Sequence, residues 1–177
     1  MRIATLARLM SPDLPQFIEP ARLAATGETL AGNLATAEMS RLRAAVEECG
    51  DKVRIRLDCR RDEQGYIVIS GEVDVEITLR CQRCLEPLPV HLQQSIRIGW
   101  VTDASVLQRL PEALEPLLSE STRLALATLI EDEILLGLPM APLHDAKACP
   151  AAELVEELKP HRESPFAVLK DLKLKKP

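Results

Sequence analysis

Aromatic residues are nearly missing from this 177-residue chain, which has one Trp, one Tyr and two Phe, at Trp100, Tyr66, Phe17 and Phe166. The common single-stranded RNA modules stack bases on aromatic rings, so their platforms cannot be assembled from this composition. Glycine is also scarce, seven in all, and no Gly-rich loop exists to cradle a phosphate. No apolar run approaches the length of a bilayer span, and the first residues meet Pro12 and Asp13 before a signal-peptide core develops. The five cysteines, Cys49, Cys59, Cys81, Cys84 and Cys149, are odd in number and too sparse for a disulfide scaffold. These absences predict a cytoplasmic protein with no membrane partner. No nucleophile paired with a base is evident either, which predicts a non-enzymatic protein without a small-molecule substrate.

A basic surplus is absent as well. The formal net charge is −5, and residues 101–150 account for all of it, with eight acids against three Lys or Arg. Nucleic-acid affinity rests mainly on neutralising phosphates, so the chain is a poor general nucleic-acid binder. Basic character is local: Lys52, Arg54, Arg56, Arg60 and Arg61 form a short stripe. That stripe is a candidate RNA or partner contact, or else the solvated face of an edge strand.

What the chain does have is apolar content, 46%, enough for a sizeable core. Residues 1–35, with Pro12, Pro15, Pro20, Gly27 and Gly32, read as an extended N-terminal arm with little regular structure, packing on a single domain over 36–177. Helical spacing of Met39, Leu42, Ala45, Val46 and Cys49 predicts a short helix from Thr36 to Gly50. A period of two follows: Val53, Ile55, Leu57 and Cys59 alternate with charges, and after a turn at residues 62–65 the pattern resumes from Ile67 to Cys81. Gly71 within it suggests a bulge. A third alternation runs from Val90 to Trp100. The expected fold is α+β, an antiparallel meander packed with a few short amphipathic helices.

Residues 101–121 read as a surface loop, and a helix is expected from about Thr122 to Leu136, before Gly137 and Pro139. At 100° per residue Glu133 falls inside its apolar stripe, with Glu131 and Asp132 flanking it and Glu131 expected to face water. A buried carboxylate requires a partner, either an ion pair within the fold or a group on a bound molecule. Two further short helices are expected, at 151–159 and from Ser164-Pro165 onward.

The strongest motif is Cys81-Gln82-Arg83-Cys84 at the end of the second alternation, with His144 and Cys149 about sixty residues on. Three sulfurs and an imidazole are the ligand set of a closed tetrahedral zinc site. Unmetallated packed thiols and a redox pair are the competing readings. A redox CxxC usually opens a helix, and Pro87 and Pro89 disfavour one here.

Four segments together, C-Q-R-C-L-E-P at 81–87, I-E-D-E-I-L-L-G-L-P at 130–139, P-L-H-D at 142–145 with Cys149, and S-P-F-A-V-L at 164–169, resemble the bacterial YceD family. The resemblance implies a cytoplasmic, non-enzymatic factor needed for synthesis, processing or stability of 23S rRNA, with rRNA or a ribosomal protein as partner. An alternative is a protein-binding adaptor whose acidic 101–150 segment engages a basic ribosomal protein and affects rRNA indirectly.

Overall fold

The computed structural model describes residues 14–151. In chain order these form β1 (Phe17–Ile18), α1 (Pro20–Thr26), β2 (Thr29–Ala35), a 3-10 turn (Thr36–Glu38), α2 (Ser40–Ala45) and β3 (Glu48–Cys49). Then come β4 (Lys52–Arg61), β5 (Ile67–Arg80), β6 (Pro87–Val101), α3 (Ala104–Leu107), β7 (Glu115–Leu118), β8 (Leu124–Ala125) and α4 (Leu126–Gly137). The fold is α+β. The main sheet has the order β2-β4-β5-β6-β7, with β3 continuing the β4 edge along the far half of β5. Every pairing in it is antiparallel except that of β6 with β7.

The period-two alternation makes the meander. Val53, Ile55 and Leu57 of β4, Ile69, Val73 and Val75 of β5, and Ile96 and Ile98 of β6 are buried together with Leu23 of α1, Leu42 of α2 and Leu126, Ile130 and Ile134 of α4. Each such side chain contributes roughly 1.5–3 kcal/mol through removal from water. The turn after β4 is held by Asp62, whose Oδ1 accepts the N–H groups of Gln64 and Tyr66, and Gly65 takes φ 88°. Glycine is the residue that adopts this backbone without steric cost.

Gly71 does not mark a bulge. The ladder passes through it in unbroken register, opposite Leu57 on one side and Ile96 on the other. Its role is close approach, because a Cβ there would collide with the Arg56 carbonyl oxygen. Other expectations are also corrected. Residues 20–26 are helical and 29–35 pair with β4 over seven positions, so regular structure begins well before residue 36. Pro20 at the first helical position and Gly27 in the left-handed conformation frame α1 as start and stop signals. The helix expected to reach Gly50 ends at Ala45, and Cys49 lies on β3 instead. Residues 101–121 contain α3 and β7, and Pro116 is tolerated because β7 is an edge strand. The last helix starts at Leu126 because Leu124 and Ala125 pair with β1. The helices expected from residue 151 and from residue 164 lie outside the described residues.

One polar contact joins segments ninety residues apart. The short helix α2 has Met39 at its N-cap, which offers no side-chain acceptor. Glu131 of α4 supplies it: Oε1 accepts the backbone N–H of Arg41 at 2.7 Å and of Leu42 at 3.0 Å, and the Arg41 guanidinium donates to Oε2. Arg41 also pairs with Asp132 at 2.6 Å. Glu131, expected to face water, is only 5% exposed. Burial alone would raise its pKa, but the Leu42 N–H and the Arg41 donors outweigh it and hold the carboxyl below its ordinary value.

A group depressed in this way stabilises the fold above its unfolded pKa, and the contribution disappears as pH falls through the folded value. Glu131→Ala, which strands buried donors, is expected to cost about 2–3 kcal/mol at neutral pH in denaturant melts. The deficit should shrink as pH falls below about 4, where the parent loses the same contribution. A constant deficit from neutral to acid pH would show that packing, not the carboxylate, carries the effect.

Candidate metal centre

The core parity of β5 continues past its end. Ile67, Ile69, Val73, Val75, Ile77 and Leu79 face inward, and Cys81, two residues on, is fully buried on the same side. The chain then turns tightly: the Cys81 N–H donates to the Glu86 carbonyl at 3.0 Å and the Leu85 N–H to the Cys81 carbonyl at 2.8 Å. Leu85 adopts φ 64°, the only non-glycine positive φ among the described residues. This turn is laced to the segment after α4 by the Gln82 N–H donating to the Pro142 carbonyl at 2.9 Å and the Gln82 side-chain amide to the Met140 carbonyl at 3.1 Å. A second turn, with the Ala148 and Cys149 N–H groups donating to the Asp145 carbonyl, presents Cys149.

These turns bring together the three sulfurs of Cys81, Cys84 and Cys149 and the ring of His144, with the ligand atoms all within 4.8 Å of one another. Cys84 Sγ lies 3.3 Å from His144 Nδ1. His144 Nε2 lies 3.1 Å from the Pro87 carbonyl, an acceptor, so Nε2 carries the proton and Nδ1 presents its lone pair to the cluster. A tetrahedral ion with metal–sulfur bonds of about 2.3 Å and a metal–nitrogen bond of about 2.0 Å spaces its ligand atoms about 3.5–3.8 Å apart. The four residues therefore fit such an ion. Thiolate-rich donors select soft metals, and with four protein ligands no coordination position remains for a substrate.

The surroundings favour charge at Cys81. Burial opposes its ionisation, but backbone N–H groups of Cys84, His144 and Arg83 converge on the sulfur and lower its pKa to about 5. The neighbouring Cys84 is pushed up, first by burial and then by the Cys81 and Cys149 sulfurs, despite the Glu86 N–H. Cys49 and Cys59 stay apart from the cluster: burial raises both, Cys59 to about 11 with help from Asp58.

The basic stripe has a different setting from the edge strand suggested by the sequence. Lys52, Arg54, Arg56, Arg60 and Arg61 are exposed, but β4 lies inside the sheet between β2 and β5. Arg54 sits opposite Asp74 and Arg56 opposite Glu72, so an acidic row on β5 runs beside the basic one. Arg61 is occupied with the turn, donating to the Gly65 carbonyl at 3.1 Å. Glu133 is buried at 5% exposure, and its carboxylate has no hydrogen-bond or ionic partner among the described residues. Burial first, then Glu115 and Asp132, raise its pKa. The Pro87 carbonyl, the left-handed Leu85 and the Glu131–α2 contact carry no sequence signal of their own, since each depends on a residue distant in the chain.

Comparison with known proteins places these residues in context. Residues 69–173 match the family described as large ribosomal RNA subunit accumulation protein YceD, a stretch that includes β5 from Ile69 onward and all four cluster residues. The protein of that name from Haemophilus influenzae is 31% identical over 170 residues, covering 92% of this chain and 97% of that one. No solved structure matches.

The left-handed Leu85 yields a test of the turn. A non-glycine residue there costs about 1–2 kcal/mol, and glycine's extra chain entropy returns about 0.5–1 of it. Leu85, largely exposed, loses little packing on replacement. Leu85→Gly should therefore raise stability by on the order of half a kcal/mol, read in denaturant melts. A clear loss would mean that the side chain, not the backbone, holds the turn.

Proposed function

The chain belongs to the YceD family of large ribosomal RNA subunit accumulation proteins, and from that membership we propose that it is a non-enzymatic cytoplasmic factor supporting the synthesis, processing or stability of 23S rRNA. Its fold is closed by a structural zinc ion on Cys81, Cys84, His144 and Cys149. The observation that carries this reading is the ligand set itself: three sulfurs and one oriented imidazole leave no open position for chemistry. When bound, the metal ties the β5–β6 turn to the segment after α4 and adds its binding free energy to folding. Cys81 and Cys149 anchor it from the core side, and Pro87 fixes the His144 tautomer.

A protein contact fits the charge distribution better than direct RNA binding. Arg54 and Arg56 of β4 stand opposite Asp74 and Glu72 of β5, which repel phosphate, and the acid excess lies in 101–150. In this reading a basic ribosomal protein is the immediate partner and rRNA accumulation follows from it.

Purified protein is expected to contain about one zinc per chain by elemental analysis, and Cys81→Ser to lose it together with several kcal/mol of stability. Fully stable, metal-free protein would remove the zinc. Cells lacking the chain should show a reduced ratio of 23S to 16S rRNA, restored by the parent gene; an unchanged ratio would remove the proposed role. The double variant Arg54→Gln, Arg56→Gln should restore that ratio as well as the parent does. If it fails, and RNA binding loses roughly two units of salt slope, the stripe contacts phosphate directly.

A further inference from the structure

Between β7 and α4 the surface opens into a groove of about 420 Å³. Ile98, Leu117 and Leu129 contribute apolar lining, Leu136 stands at the rim 71% exposed, and Glu115 and Glu133 supply carboxylates. Glu133 has nineteen-twentieths of its surface buried and no partner among the described residues. Asp132, also at the groove, is already engaged by Arg41. Burying a carboxylate without a counter-charge is unfavourable, and the nearby Glu115 aggravates it. Glu131, two residues away on the same helix, shows how this fold satisfies a buried carboxylate when the partner is internal.

We propose that the β7–α4 groove is the docking site for a basic amphipathic segment of a partner protein, which inserts a Lys or Arg against Glu133 and lays apolar side chains over Leu117, Leu129 and Leu136. The inference rests on the protein-contact reading above and locates it. Charge decides the class of occupant: a groove carrying Glu115 and Glu133 repels phosphate, so RNA does not fit it. The apolar lining and the exposed Leu136 decide against a small hydrophilic amine, because they require apolar side chains next to the cation. Alignment of a cation with a carboxylate set in this largely apolar groove gives the contact both its specificity and most of its sensitivity to mutation.

The test uses the full-length chain with a photo-crosslinking amino acid in place of Leu136, irradiated in growing cells, with the joined peptides sequenced. The expected product is an adduct to a Lys- or Arg-containing segment of another protein, reduced at least tenfold by Glu133→Gln. A synthetic peptide of that sequence should bind the purified parent at least tenfold more tightly than Glu133→Gln. Glu133→Gln removes a charge that has no counter-charge among the described residues without changing shape, so its melting temperature should equal or exceed the parent's. A purely structural Glu133 would instead give a lower melting temperature and unchanged peptide binding, which overturns the proposal. Adducts only to RNA overturn it as well, as do adducts only to residues 152–177 of the same chain, and so does an absence of adducts. The 23S ratio in the same cells separates the two readings. If deletion of the chain leaves the ratio unchanged, the ribosomal role fails while a Glu133-dependent adduct still stands. If the ratio needs the chain but tolerates both Glu133→Gln and Glu133→Lys, the groove alone fails.

Discussion

The register of β5 is the constraint on which the rest depends. Its fourteen residues pair with β4, β3 and β6, and every odd-numbered side chain from Ile67 to Leu79 except Gly71 is buried. A slip of one residue would turn that whole set to water and bring Glu72, Asp74 and Glu76 inside. The same parity delivers Cys81 to the core side at the strand's end. The position of the Cys–His cluster is therefore an extension of the hydrophobic pattern, and Gly71 protects it by letting β4 approach without a bulge.

Two carboxylates on α4 show how context decides the fate of a buried charge. Glu131 meets the open N-terminus of α2 and the guanidinium of Arg41, and its ionised form is favoured. Glu133, equally buried, is disfavoured in its ionised form first by burial and then by two neighbouring acids, Glu115 and Asp132. They lie two residues apart on one short helix, about 200° around its axis at 100° per residue, so periodicity alone would bury one and expose the other. Contact with a segment ninety residues upstream buries Glu131 as well and gives it the partners that Glu133 lacks among the described residues.

That difference marks the limit of what was legible in the sequence. The meander was legible because alternation is local and strong: β4 and β5 fall within a residue of their expected bounds. The convergence of the CxxC with His144 and Cys149 was legible because those residue types at that spacing follow the pattern of a shared ligand set. The elements that sequence missed owe their form to distant neighbours. β2 exists because β4 offers an edge to pair with, β7 because β6 does, and Cys49 leaves the helical pattern because β5 captures it at Ile77. The helix register on α4 placed Glu133 on the buried side, but it set Glu131 toward water because α2 and its uncapped N–H groups lie outside any local window.

The chain path connects the candidate metal centre to the groove wall. Leu135 and Leu136 lie in the last turn of α4 at the groove, Gly137 ends the helix, Leu138 and Pro139 follow, and Met140 and Pro142 are tied to Gln82 inside the CxxC turn. A segment this short, polar-bonded at one end and helical at the other, has few independent conformations. An ion that fixes Cys84 against His144 also restrains the path from Gln82 to the last turn of α4. The Cys–His cluster and the groove that Glu133 lines thus sit at opposite ends of one structural unit, a turn held to the last turn of a helix.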